Sequence, residues 1–267
     1  MNENENNNTL SGKDKKPKDG FTFNWFNLFL GLALFIGLSY DSTFFTNDYS
    51  FYIYLAIVVV IHELGHVIVG RSFGCIIKEM QVFFLSFVSY KPTQDSKGST
   101  WRKIRWSLGV LPLGGVTVFK SRNLVYENNE DTLTWKRVSE APVASPYIND
   151  KPAWQRLLIS AGGVLFNIAT FIILYFSLPY MSLGFNDLLH PLMSLSLLLA
   201  VLNILPVYPL DGGAIVFAIY EMITGRKPSQ MFTNVCGWIG FVFIVLFFWV
   251  FPEWLSGILD GVFGLFF

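Results

Sequence analysis

Apolar positions in this chain come in long unbroken blocks, without the two-residue or 3.6-residue alternation that a half-buried strand or helix shows. Phe23 to Tyr40, Phe51 to Gly70, Leu157 to Tyr180, Leu188 to Leu210 and Phe232 to Phe251 are each at least 18 residues long. About 20 apolar residues cross a bilayer as a helix, so the pattern predicts a polytopic α-helical membrane protein with about five transmembrane helices. Between the second and third blocks, from Arg71 to Arg156, the chain turns polar and mixed. Within that stretch Met80 to Tyr90 and Leu108 to Phe119 read as strands. The Gly114-Gly115 pair leads into the β-branched run Val116-Thr117-Val118, which suggests a small β-hairpin element.

The remaining segments follow from composition. Residues 1–22 are polar and low in complexity and read as a disordered tail. Residues 41–50 form a short loop carrying Asp41 and Asp48, and residues 121–150 read as a loop with Pro142 and Pro146. Gly212 to Thr224 suits a short surface helix, and the tail from Trp254 to Phe267 is apolar but too short to cross. The expected organisation is a tail (1–22), an extra first span (23–40), a core (51–210) and a C-terminal part (211–267).

Charge orients this arrangement. The chain has 19 Lys and Arg against 19 Asp and Glu, so its net charge is zero. Every one of the basic residues falls in 1–22, 71–156 or 211–231: four, thirteen and two respectively. Five spans put those three segments on one side, and cytosolic loops carry the Lys/Arg excess. The N-terminus and the long loop are therefore expected in the cytosol. The polar N-terminus shows no signal peptide. Cys75 and Cys236 have no metal-like spacing and read as free thiols. No feature points to nucleic acid.

The second block contains Ile61-His62-Glu63-Leu64-Gly65-His66. On a helix His62 and His66 lie one turn apart on one face, where two imidazoles can share a zinc ion and Glu63 stands as a general base. Burying a carboxylate near the bilayer centre costs roughly 2.5 kcal/mol or more, so ionisable groups there mark function. His66 lies about 8 Å from the cytosolic end of its span at 1.5 Å per residue. Asp211, just past the cytosolic end of the fourth block, arrives at a similar depth. A zinc site needs a third protein ligand and an open position, and Asp211 suits the first need, although Asp-Gly is also a common turn pair.

These residues carry a resemblance. His-Glu-x-x-His followed by Leu210-Asp211-Gly212 resembles the site-2 protease family of zinc intramembrane proteases. Asn203-x-x-Pro206 and the third block, with Lys151-Pro152-Ala153-Trp154-Gln155-Arg156 leading to Gly163-x-x-x-Asn167, are similar to the family as well. The bacterial branch that clips anti-sigma factors looks nearest, yet residues 181–187 leave no room for the PDZ domains that branch carries. The resemblance implies one Zn2+ held by His62, His66 and Asp211, with Glu63 as catalytic base. It implies substrate contacts at Asn203, and the β-element at Gly114, Gly115 and Val116 offers an edge for an extended segment. Asn167 is grouped with these contacts, although amides in spans also join helices. The implied partners are the lipid bilayer and a single-span membrane protein, such as an anti-sigma factor or a signal-peptide-like segment. A metal-ion transporter or a non-catalytic scaffold is the alternative. The apolar outer halves of the spans speak against transport, and the intact His-Glu-x-x-His speaks against a scaffold.

Overall fold

The protein is described here by a computed structural model covering residues 20–39, 49–92, 104–121, 136–137, 145–181 and 183–250. Along the chain these form β1 (Gly20–Phe23), α1 (Trp25–Ser39), α2 (Tyr49–Ser72), β2 (Ile77–Lys91), β3 (Arg105–Phe119) and β4 (Lys136–Arg137). They continue with α3 (Ala153–Ser177), α4 (Leu183–Ile204), α5 (Asp211–Thr224), β5 (Arg226–Lys227) and α6 (Gln230–Val250). The expectations for residues 1–19, 41–48 and 251–267 lie outside the described residues.

Among the described residues two helices have the length and apolar character of a membrane span, Ser50–Ser72 and Ala153–Tyr180. Trp25–Ile36, Leu188–Ile204 and Gln230–Ile244 are apolar but shorter. The fourth block stops being helical at Ile204 rather than Leu210, because Pro206 and Pro209 cannot donate to a continuing helix. Residues 205–210 fold back onto the start of α5. A Cβ on Gly212 would stand 2.2 Å from the Leu205 carbonyl oxygen, and one on Gly213 2.3 Å from the Tyr208 nitrogen. This tight return turns the chain at Asp211 and starts α5 with an acidic first turn.

The hairpin is real and larger than expected. β2 and β3 are each 15 residues and pair antiparallel, with Met80 opposite Thr117 and Gln81 opposite Val116. The sheet order is β1-β2-β3. Residues 20–22, expected in a disordered tail, instead belong to β1, which pairs with the far end of β2, Phe21 opposite Tyr90. Asn24 then caps α1, its Oδ1 accepting from the Asn27 backbone at 3.2 Å, while Asn27 Nδ2 donates to the Ser86 carbonyl at 2.7 Å. The first helix is thereby tied to the sheet.

The sheet does not stand apart from the helices. Phe83 of β2 packs with Leu55, Val58 and Val59 of α2 and Leu195 of α4. Ile77 and Met80 pack with Val67 of α2 and Ile104. From Leu55 to Val67 is about 18 Å of helix at 1.5 Å per residue, so the β-element lies along α2 rather than capping its end. Its burial follows from its side chains, which are apolar on the α2 face, while Leu108, Val116 and Val118 remain exposed on the other.

Candidate metal centre and active site

α2 presents His62 and His66 on one face, as the four-residue spacing requires, and both are buried. Their Nε2 atoms lie 3.3 Å apart. Asp211 Oδ2, delivered by the turn into α5, is 3.0 Å from His62 Nε2 and 3.2 Å from His66 Nε2. Zinc bonds of about 2.0–2.1 Å in a tetrahedral site set ligand atoms roughly 3.3 Å apart, so this triangle has the size of one tetrahedral face. The remaining ring nitrogen of His66, Nδ1, donates to the Ile159 carbonyl oxygen at 2.8 Å. A carbonyl only accepts, so Nδ1 carries a proton, and Nε2 faces the centre of the triangle.

Two further observations show that a cation fits. Asp211 Oδ2 is a buried carboxylate oxygen whose neighbours are the two ring nitrogens, a costly state for a carboxylate unless a positive charge completes it. Beside the triangle runs the backbone of Gly163 on α3. A Cβ there would stand 2.6 Å from the Nε2 atoms of both histidines. The missing side chain leaves the space in front of the ring nitrogens open. One turn away Gly65 and Gly162 bring the helices together, since a Cβ on Gly65 would meet the Gly162 carbonyl oxygen at 2.3 Å. Nitrogen and carboxylate donors in this number suit zinc.

Glu63 is buried, and β3 holds it. Thr117 Oγ1 donates to Glu63 Oε2 at 2.6 Å. Gly115, two residues back on the same face of the strand, lies so close that a Cβ would stand 2.8 Å from Glu63 Oε1 and from the Gln81 carbonyl oxygen. Gly114 sits at φ +133°, a backbone conformation open to glycine. Val116 points away and is exposed. In the described sheet β3 is an outer strand, and Gly115 to Phe119 pair only with β2.

Of the residues expected at the site, His62, Glu63, His66, Asp211, Gly115 and Asn167 come together. Asn167 is fully buried, with its carboxamide nitrogen 3.2 Å from His62 Nδ1. Asn203 is half-buried, and its Nδ2 donates to the Leu199 carbonyl of its own helix at 3.0 Å. Thr117, Gly163 and the Ile159 carbonyl were not foreseen. Thr117 had a signal, since strand alternation puts it on the face of Gly115.

A second polar cluster locks α5, and with it Asp211, in place. Arg156 at the start of α3 bonds the buried Glu221 of α5. Lys227 Nζ donates to the Asn149 carbonyl at 2.7 Å. Burial, and then the neighbouring Arg156 guanidinium, hold its ammonium below the ordinary lysine range. Cys75 and Cys236 are free thiols.

The family model described as Peptidase family M50 matches residues 50–183 and 179–247. Metalloprotease MmpA of Caulobacter vibrioides is 28% identical over 128 residues, 45% of this chain and 30% of that protein. A candidate zinc metalloprotease of Thermotoga maritima is 37% identical over 65 residues, 24% of this chain and 13% of that protein. The matched segments thus span under a third of either relative. A solved structure, a site-2 protease from Methanocaldococcus jannaschii, aligns with 92% of this chain and 91% of its own at 22% identity and a TM-score of 0.48. With the family model covering most of its length, the chain belongs to peptidase family M50, the site-2 protease family that its motifs resemble.

Proposed function

We propose that this chain is a zinc-dependent intramembrane endopeptidase that cuts single-span membrane proteins in or near their transmembrane segments, close to the cytosolic face. The observation that carries this reading is the triangle of His62 Nε2, His66 Nε2 and Asp211 Oδ2, all within 4.8 Å of one another, with Glu63 beside it. One Zn2+ per chain, held by those three atoms, supplies Lewis acidity and lowers the pKa of water at this place. Glu63 takes a proton from the attacking water and delivers it to the leaving amine nitrogen. Thr117 keeps one carboxylate oxygen engaged, which orients the other.

A helical substrate shields its own carbonyls, because its amides are paired internally. The outer edge of β3 from Gly115 to Phe119, which includes Thr117 that holds Glu63, offers backbone partners to an unwound, extended segment. Asn203 and Val116 contact the substrate in this reading. Five spans, a cytosolic N-terminus and a bacterial inner membrane account for the one-sided distribution of all 19 basic residues. Substrates of this class include anti-sigma factors and signal-peptide-like segments.

The test is co-expression with single-span candidates, comparing wild type with Glu63→Gln. The expected result is that the variant keeps its zinc and loses cleavage by about 10²–10⁴-fold. Equal fragments from both proteins sink the protease reading. Metal analysis of His62→Ala and Asp211→Ala tests the ligands, and full zinc content in either removes that residue.

A further inference from the structure

His66 and His62 are held differently. His66 has its Nδ1 proton fixed by a backbone carbonyl. His62 has instead the side chain of Asn167, whose Nδ2 stands 3.2 Å from Nδ1. In that orientation the amide donates to Nδ1, so the ring proton sits on Nε2 and faces Asp211 Oδ2. The Asn167 carbonyl oxygen is then left buried without a partner. A ring whose Nε2 is protonated cannot bind a cation through that atom. Binding through Nε2 needs the proton on Nδ1 and an acceptor facing it. A half-turn of the carboxamide brings the orphaned oxygen to that place, because the two ends of an amide are nearly the same size. Asn167 is fully buried on the inner face of α3, four residues after Gly163, with its amide against a ligand ring.

We propose that Asn167 is a positioning residue of the metal centre: with its oxygen turned onto His62 Nδ1, it fixes the tautomer in which Nε2 binds a divalent cation. This inference rests on the metal-centre reading and needs no protease activity. Asn167→Leu keeps the volume and removes the acceptor. Asn167→Asp keeps an acceptor of the same shape.

The measurement is zinc affinity of the purified full chain by chelator competition, with thermal unfolding to select folded protein. Asn167→Leu is expected to bind zinc about 10–100-fold more weakly than wild type, as loss of an outer-sphere partner does. Asn167→Asp should stay close to wild type. In nitrogen-15 spectra of zinc-loaded wild type, the His62 ring proton is expected on Nδ1. That arm stands even when neither variant folds, and a proton on Nε2 overturns the proposal. Wild-type affinity in folded Asn167→Leu, or an equal loss in Asn167→Asp, also overturns it and leaves the metal centre intact. Failure of wild type itself to hold zinc sinks the metal reading and this one together.

Discussion

Two regions meet at Glu63, and they are built on opposite terms. On one side lies the metal triangle, carried by α2 and α5 and packed against α3, where glycines bring backbones into contact and ligand atoms are buried. On the other lies β3, an outer strand with alternate side chains exposed and one hydroxyl bonded to the base. The helical side fixes three ligand atoms to within a few tenths of an ångström of one tetrahedral face. Among the described residues the strand side leaves its outer edge without a neighbouring strand. A metal needs fixed donors, whereas an incoming extended chain needs free ones. In the proposed reading, the difference divides binding of the cation and presentation of the substrate between elements, with Glu63 served by both.

That division can be broken from either side. The largest effect is expected on the helical side at Arg156→Leu. The change leaves Glu221 buried and unpaired, a cost of about 3–5 kcal/mol, and frees α5 with its Asp211. Chemical denaturation should show the loss, and zinc content should fall with it.

Gly115→Ala strikes the strand side. Its Cβ would stand 2.8 Å from Glu63 Oε1, and a misplaced base by about 1 Å costs on the order of 10²-fold in rate. Zinc content should be unchanged, and that contrast is the point of the variant. Co-loss of metal would show that the two regions are not separable.

Gly163→Ala is the mirror experiment. Overpacking of about 1–3 kcal/mol falls on the two Nε2 atoms, so zinc affinity should drop roughly 5–150-fold. Direct zinc titration of folded protein checks it. The smallest effect is expected at Thr117→Val, about tenfold in kcat, matching roughly 1.5 kcal/mol for a hydrogen bond to a charged group. Thr117→Ser should restore it with no change in KM. Equal loss in both variants would assign Thr117 to packing alone.

Much of the site was legible before any coordinates. The four-residue spacing of His62 and His66 needs only helix geometry, and the apolar block that holds them assures the helix. Asp211 was placed near them by counting residues from a charge boundary. The strands were legible from the β-branched run after Gly114, though both began three residues earlier than expected and the first ended one residue later. Residues 20–22 misled because three residues at the end of a polar stretch carry no strand signal of their own; they are ordered by the free edge of β2. Asn167 read as one more amide in a span, because its neighbour in space is 105 positions away.

By itself the sequence determined what is local or additive: the apolar blocks, the side on which basic residues collect, the histidine pair and its acidic neighbour. Tertiary structure alone decided which strand face meets Glu63, which glycine opens the space before the ring nitrogens, and which amide faces His62. Those contacts join residues up to 105 positions apart, and they are set by how closely two backbones can approach, a quantity that no periodicity along one segment contains.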